Sequence, residues 1–69
     1  MVTLEMIRAK LIEAIRQSGM SQTELAKKIG ISQSGIAHYV KGDKMPALDT
    51  FANLCKVLEL DANDMLCIM

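Results

Sequence analysis

The stretch SQTELAKKIGISQSGIAHYVKG, residues 21–42, contains two helix beginnings and two helix ends. Ser21-Gln22-Thr23-Glu24 has the form of a capping box: the serine hydroxyl accepts from the Glu24 N–H, and the Glu24 side chain reaches back. Met20, just before the cap, and Leu25 form the matching hydrophobic staple. Leu25, Ala26 and Ile29 give this helix one apolar face, and Gly30 stops it. The same pattern then repeats. Ser32 is the next cap, Ile31 staples onto Ile36, and Ile36, Tyr39 and Val40 point inward. Gln33, Ser34, Ala37, His38 and Lys41 fall on the opposite side at three- and four-residue spacing. Gly42 ends the second helix. Two short helices joined through a glycine turn are the helix-turn-helix signature, here over about residues 21–41.

The flanking sequence continues in helices. Upstream, Thr3 caps a first helix, with Glu5 suited to its positive end. Ile7, Leu11, Ala14 and Ile15 recur at helical spacing, and Ser18-Gly19 ends the run. Downstream, Asp43 to Met45 read as a loop, and Pro46 suits the start of a fourth helix because its missing N–H would be unpaired there. Leu48, Phe51, Ala52, Leu54, Cys55 and Leu58 give that helix a broad apolar face. Asp61 caps a short fifth helix, with Asp64 three residues on and Met65, Leu66 and Ile68 as its apolar residues. The reading is an all-α fold: one five-helix domain over residues 1–69, with the C-terminal helices at about 47–68.

Composition agrees. At 69 residues and 51% hydrophobic, with only 3% aromatic, the chain can build one small aliphatic core. Net charge is zero. Its distribution is uneven: seven basic residues face four acidic ones in residues 1–44, and one faces four in residues 45–69. This suits a basic working face with an acidic far side, or simply a set of solvated charges. Cys55 sits in an apolar helical pattern and reads as core, while Cys67 is less determined. Neither belongs to a CxxC or a Cys/His cluster, so no zinc site is expected. Two free thiols without a disulfide framework suit a reducing interior. There is no basic segment followed by an apolar run at the N-terminus, and nothing near the about 18 apolar residues of a membrane span. A cytoplasmic protein without membrane partner is expected. With one histidine and no nucleophile–base pair, an enzyme is not expected. Neither a cofactor nor a small-molecule ligand is evident, and GISQSG matches neither GxxxxGK[ST] nor GxSxG.

MSQTELAKKIGISQSGIAHYVKG, together with MPALDTFANLCKVLELDANDML, resembles the Cro/C1-type (XRE-like) helix-turn-helix family of phage repressors and bacterial regulators. The resemblance covers about residues 5–68. It implies a lambda-repressor-like five-helix domain that binds double-stranded operator DNA, usually as a homodimer, with the helix 32–41 in the major groove. By matched positions it implies Gln33 as the principal base reader, with Ser34 and His38 at base-contacting positions. It implies Gln22 as a phosphate contact; Lys41 and Lys44 sit where they could flank the groove and contact the DNA backbone, and Thr23 and Ser32 are further candidates for such contacts. Side-chain chemistry allows these roles: Gln can pair with adenine N6/N7, Ser can donate or accept, and His can donate to guanine N7. Bland readings stand beside them. Gln33 and Ser34 can be exposed first-turn residues, His38 an idle surface histidine, and Thr23 filler. Tyr39 reads as packing. Of Lys27 and Lys28, at least one reads as solvated.

Three departures from the family pattern stand out. Ile15 and Val40 occupy the positions where many members pair an Arg with a Glu, so the two are expected to touch as hydrophobes. Few arginines and no net charge imply few phosphate contacts, a shallow salt slope and more reliance on dimerisation. Gly35 stands where a side chain is usual; it either lets the helix approach DNA closely or merely softens it. Leu60, Met65, Leu66 and Ile68 are the expected dimer surface, or else they close the core. The leading function is a sequence-specific transcriptional regulator, a repressor. The alternative is a protein-interaction module such as an antitoxin of a toxin–antitoxin pair, ranked second because no long tail for gripping a toxin is present.

Overall fold

Four of the five helices begin beside the side-chain acceptor expected from the sequence. In the computed structural model, which describes residues 1–68, α1 spans Leu4–Gln17, and Thr3 Oγ1 accepts from the Met6 N–H at 3.2 Å. Helix α2 spans Gln22–Ile29, and Ser21 Oγ accepts from the Glu24 N–H at 3.1 Å. The Glu24 carboxylate reaches back to the Ser21 hydroxyl, which donates to it at 3.3 Å. Helix α3 spans Gln33–Lys41, and Ser32 Oγ accepts from the Gly35 N–H at 3.2 Å. Helix α5, Ala62–Met65, starts at Asp61, whose carboxylate accepts from the Asn63 N–H at 2.9 Å.

Helix α4, Leu48–Val57, is the exception. Ala47 is its N-cap, with extended backbone and no side-chain cap. Pro46 therefore lies outside the helix rather than at its first position. Leu48, expected on the apolar face, is 85% exposed, and Ala52 is exposed as well. Only Phe51, Leu54 and Cys55 of that face are buried. The apolar spacing of α4 therefore overstates what the core covers.

The helix ends separate in the same way. Gly30 and Gly42 close α2 and α3 at φ 87° and 86°, where a Cβ would crowd the following carbonyl. At Gly42 space is also short: a Cβ would lie 3.2 Å from Arg8 Cδ of α1. After α4 the equivalent left-handed residue is Glu59, at φ 54°. The Leu60 N–H still closes back on the Cys55 carbonyl at 2.8 Å.

The core draws one fully buried side chain from each of the first four helices: Leu11, Leu25, Ile36 and Leu54. Ala26, 4% exposed, lets α2 and α3 approach closely. Helix α1 packs on α3 and α5, and α2 on α4. Ile15 is buried, and Val40 packs half-buried against the cluster that contains it, so both sit in apolar surroundings. Met65 is 3% exposed and completes the core from α5. Of the two expectations for Met65, its burial fits closure of the core, because a side chain withdrawn from solvent has little to offer a second chain. Leu60 and Leu66 are half-buried against the core, and only Ile68 of that set is exposed, at 63%. Leu66 also lines an apolar groove with Leu4, Ile7, Met45, Pro46, Leu48 and Phe51.

Gly35 also finds its place. A Cβ there would lie 3.4 Å from Ile31 Cδ1 and 3.5 Å from Ser32 Oγ. The missing side chain would point along the connecting turn, not outward from the helix.

Candidate nucleic-acid interface

Both helices of the motif start with the same dipeptide, Ser-Gln, at residues 21–22 and 32–33. Each serine is the cap, so each glutamine is the first residue of its helix. The turn brings these two starts together. Gln33 Nε2 donates to Gln22 Oε1 at 2.7 Å, joining side chains 11 residues apart. Gln33 is exposed and Gln22 half-buried, so the pair is anchored on the α2 side and open on the α3 side.

This bond fixes what each amide has left. A primary amide has two N–H donors and one carbonyl with two lone pairs. Gln33 keeps one N–H and its carbonyl. Gln22 keeps both N–H groups, aimed from a helix start where the dipole favours anions.

The rest of the α3 surface is placed as follows. Ser34 is exposed, and its hydroxyl lies 3.1 Å from the Ser32 hydroxyl, so the cap and its neighbour share one small polar cluster. Ser32 is thereby committed to structure through both Gly35 and Ser34. His38 is half-buried. Its Nδ1 lies 2.9 Å from Asp43 Oδ1 in the loop after Gly42. The hydrogen bond to His38 is the main reason the Asp43 carboxyl sits below its ordinary range, and Lys41 contributes through its charge. Thr23, Lys41 and Lys44 are exposed, and neither lysine is ion-paired among the described residues. Lys27 and Lys28 are also exposed.

Charge does not divide cleanly by halves of the chain. Lys10 of α1 pairs with Asp64 of α5 at 3.2 Å, with both groups near half-exposed. Such a pair contributes about 0–1 kcal/mol, and it removes one lysine from any basic face.

Two features escape a reading of the sequence by type and spacing. One is the Gln22–Gln33 bond, although its signal is present in the repeated Ser-Gln. The other is Asp43, which reads as a loop acid until the left-handed turn at Gly42 folds it back on His38. Among the described residues, no three His, Cys, Asp or Glu side chains come together as a metal site. Among the described residues, no helix is long and apolar enough to cross a membrane.

Comparison with known proteins bears on the same residues. A family model described as Helix-turn-helix matches residues 11–64, which include α2, the turn and α3. Two curated relatives are both named Antitoxin HipB, one from Escherichia coli O6:H1 and one from Escherichia coli K12. Each is 42% identical over 45 residues, or 65% of this chain, and the match covers 48% and 51% of the relatives respectively. The chain thus spans about half the length of the curated relatives it matches. No solved structure matches the chain. With the two capped helices, the glycine turn and the family match in agreement, the chain belongs to the Cro/C1-type (XRE-like) helix-turn-helix family and carries its DNA-binding motif.

Proposed function

We propose that the protein is a cytoplasmic transcriptional regulator, a repressor, that reads double-stranded DNA in the major groove with α3 as a homodimer. The observation that carries this reading is the 2.7 Å bond between Gln22 and Gln33. It leaves Gln33 with one donor and one acceptor, the set that adenine N7 and N6 require. It leaves Gln22 with two donors, the set that a phosphate accepts. Ser34 and His38 extend the base-facing surface. Thr23, Ser32, Lys41 and Lys44 lie along its margins as backbone contacts, with Ser32 acting through the cap it holds. No catalytic step and no cofactor are part of this function.

One recognition helix offers few base contacts, and the lysines at its margin are few. Pairing two copies on half-sites about one helical turn apart (~34 Å) supplies the missing specificity. Leu60, Leu66 and exposed Ile68 border the region proposed for that pairing. Dimer formation is read directly by sedimentation with and without DNA.

The decisive experiment selects bound duplexes from a random pool at fixed salt and repeats the selection with Gln33→Ala. Gln33 is exposed and fills no core space, so the fold, checked by circular dichroism, should persist. Loss of one adenine preference supports the reading, and equal binding to all duplexes by the unmodified protein refutes it.

A second reading has its own support: the matched relatives are named as antitoxins. On that reading the DNA-binding domain would serve the antitoxin half of a toxin–antitoxin pair. Co-purification of a stoichiometric protein partner from the native host would place this reading first.

A further inference from the structure

His38 is bound at one edge of its ring. Nδ1 lies 2.9 Å from the Asp43 carboxylate, and the side chain is still 39% exposed. Nε2 is the ring nitrogen that this bond leaves unused. A carboxylate has lone pairs and no proton to give. Against such a partner a neutral imidazole must carry its hydrogen on Nδ1, and Nε2 is then a bare acceptor.

We propose that Asp43 is a positioning residue for base recognition: by holding the hydrogen of His38 on Nδ1, it makes Nε2 an acceptor that selects a base bearing an exocyclic amino group. This rests on the DNA-reading function proposed above. In the major groove the donors are adenine N6 and cytosine N4, whereas guanine and thymine present only acceptors at their hydrogen-bonding edges. Without Asp43 the ring is free to take either tautomer and can donate to guanine as readily as it accepts from adenine. His38 thus reads the opposite partner from the one its side-chain type suggests. Asp43 specifies the base without touching it.

Three observations support the assignment. Asp43 follows Gly42, whose left-handed backbone turns the loop back toward α3, so the contact is built by the fold. The Asp43 carboxyl is held below its ordinary range chiefly by its bond to His38, which keeps it an acceptor. Lys41, on the same helix end, favours the same ionised state.

The test has two arms. In the first, the ring nitrogens of His38 are observed by 15N NMR in the full chain without DNA. The expected signature is a protonated Nδ1 and an unprotonated Nε2, changing to a mixture of tautomers in Asp43→Asn. A predominant Nε2–H form in the unmodified protein overturns the proposal.

In the second arm, bound duplexes are selected from a random pool by the unmodified protein, His38→Ala, Asp43→Asn and Gln33→Ala. His38→Ala identifies the base step that His38 faces. At that step the unmodified protein should prefer adenine or cytosine by about fivefold to tenfold, near the lower end of a direct base contact. Asp43→Asn should level that preference and leave the step read by Gln33 intact. Equal weakening on every duplex, a preference for guanine or thymine, or no step altered by His38→Ala overturns the proposal. If the protein selects no duplex at all, the DNA-reading function fails and the base assignment with it. The first arm still reports separately whether Asp43 sets the tautomer.

Discussion

Helices α3 and α4 have similar lengths but are held by different means. Helix α3 has a serine cap at one end and a left-handed glycine at the other, and it fully buries only Ile36. Helix α4 starts at uncapped Ala47, ends through left-handed Glu59, and buries Phe51, Leu54 and Cys55. A helix with solvent along one side has little packing to hold its termini, so local hydrogen bonds must do so. A helix anchored by three buried side chains tolerates poor ends. The contrast separates local from tertiary sources of helix stability within one small molecule, and substitutions can set the two against each other.

The largest expected effect removes the single anchor. Ile36→Ala should cost about 2–5 kcal/mol in urea denaturation, because a fully buried side chain leaves a cavity. Leu48→Ala, one turn from the buried face of α4, should leave the midpoint almost unchanged at 85% exposure. Equal losses at the two sites would break the comparison.

The next effect exchanges the helix ends. Gly42→Ala should lose about 1–2 kcal/mol from the left-handed backbone, with the close Arg8 side chain adding to the cost. Glu59→Gly should gain up to about 1 kcal/mol by relieving the same conformation after α4. Thermal melting of both variants against the unmodified chain checks the opposite signs.

At the other ends, Ser32→Ala should cost about 1 kcal/mol, and Ala47→Ser should gain about 0.5–1 kcal/mol. Ala47 already has the extended backbone of a cap and lacks only the hydroxyl. Gly35→Ala should raise stability by up to about 0.5–1 kcal/mol, because a Cβ meets the Ile31 side chain and the Ser32 hydroxyl only at contact distance, 3.4 Å or more. A loss there would mean that the turn cannot yield by a few tenths of an ångström.

The smallest effect is acid dependence at the end of α3. The Asp43 carboxyl is lowered in the folded chain, so its contribution is present above the ordinary carboxylate range and fades as pH falls through the folded value. Asp43→Asn should flatten that part of an acid titration of stability. Because the pair is exposed, the change should be the least of the set.

The same comparison explains what could be read from the sequence. Ser21, Gly30, Ser32 and Gly42 act within a few residues of themselves, so their type and spacing locate α2, the turn and α3. Burial depends on which elements surround a residue. Leu48 and Met65 are both apolar and helical, yet one is exposed and the other completes the core. No local pattern distinguishes them, because the answer lies in where α1 and α5 meet. The candidate site divides similarly. Gln33 and Ser34 are recognisable from their place after a cap. The bonds Gln22–Gln33 and His38–Asp43 need the turn to be folded before either partner can be named.

The glutamine bond has a thermodynamic consequence. Two long amide side chains held together before any duplex arrives have already surrendered rotamer freedom, each on the order of 1.5–2 kcal/mol. Less ordering then remains for the moment of association. It also couples two residues to which the proposed function gives separate tasks. Gln22→Ala would release Gln33 into several rotamers, so a change on the phosphate side would be felt as relaxed choice among bases. In a double-mutant cycle on the selected duplex, the losses from Gln22→Ala and Gln33→Ala should fall well short of additive. Affinity and discrimination would then share one degree of freedom, the orientation of a single hydrogen-bonded pair.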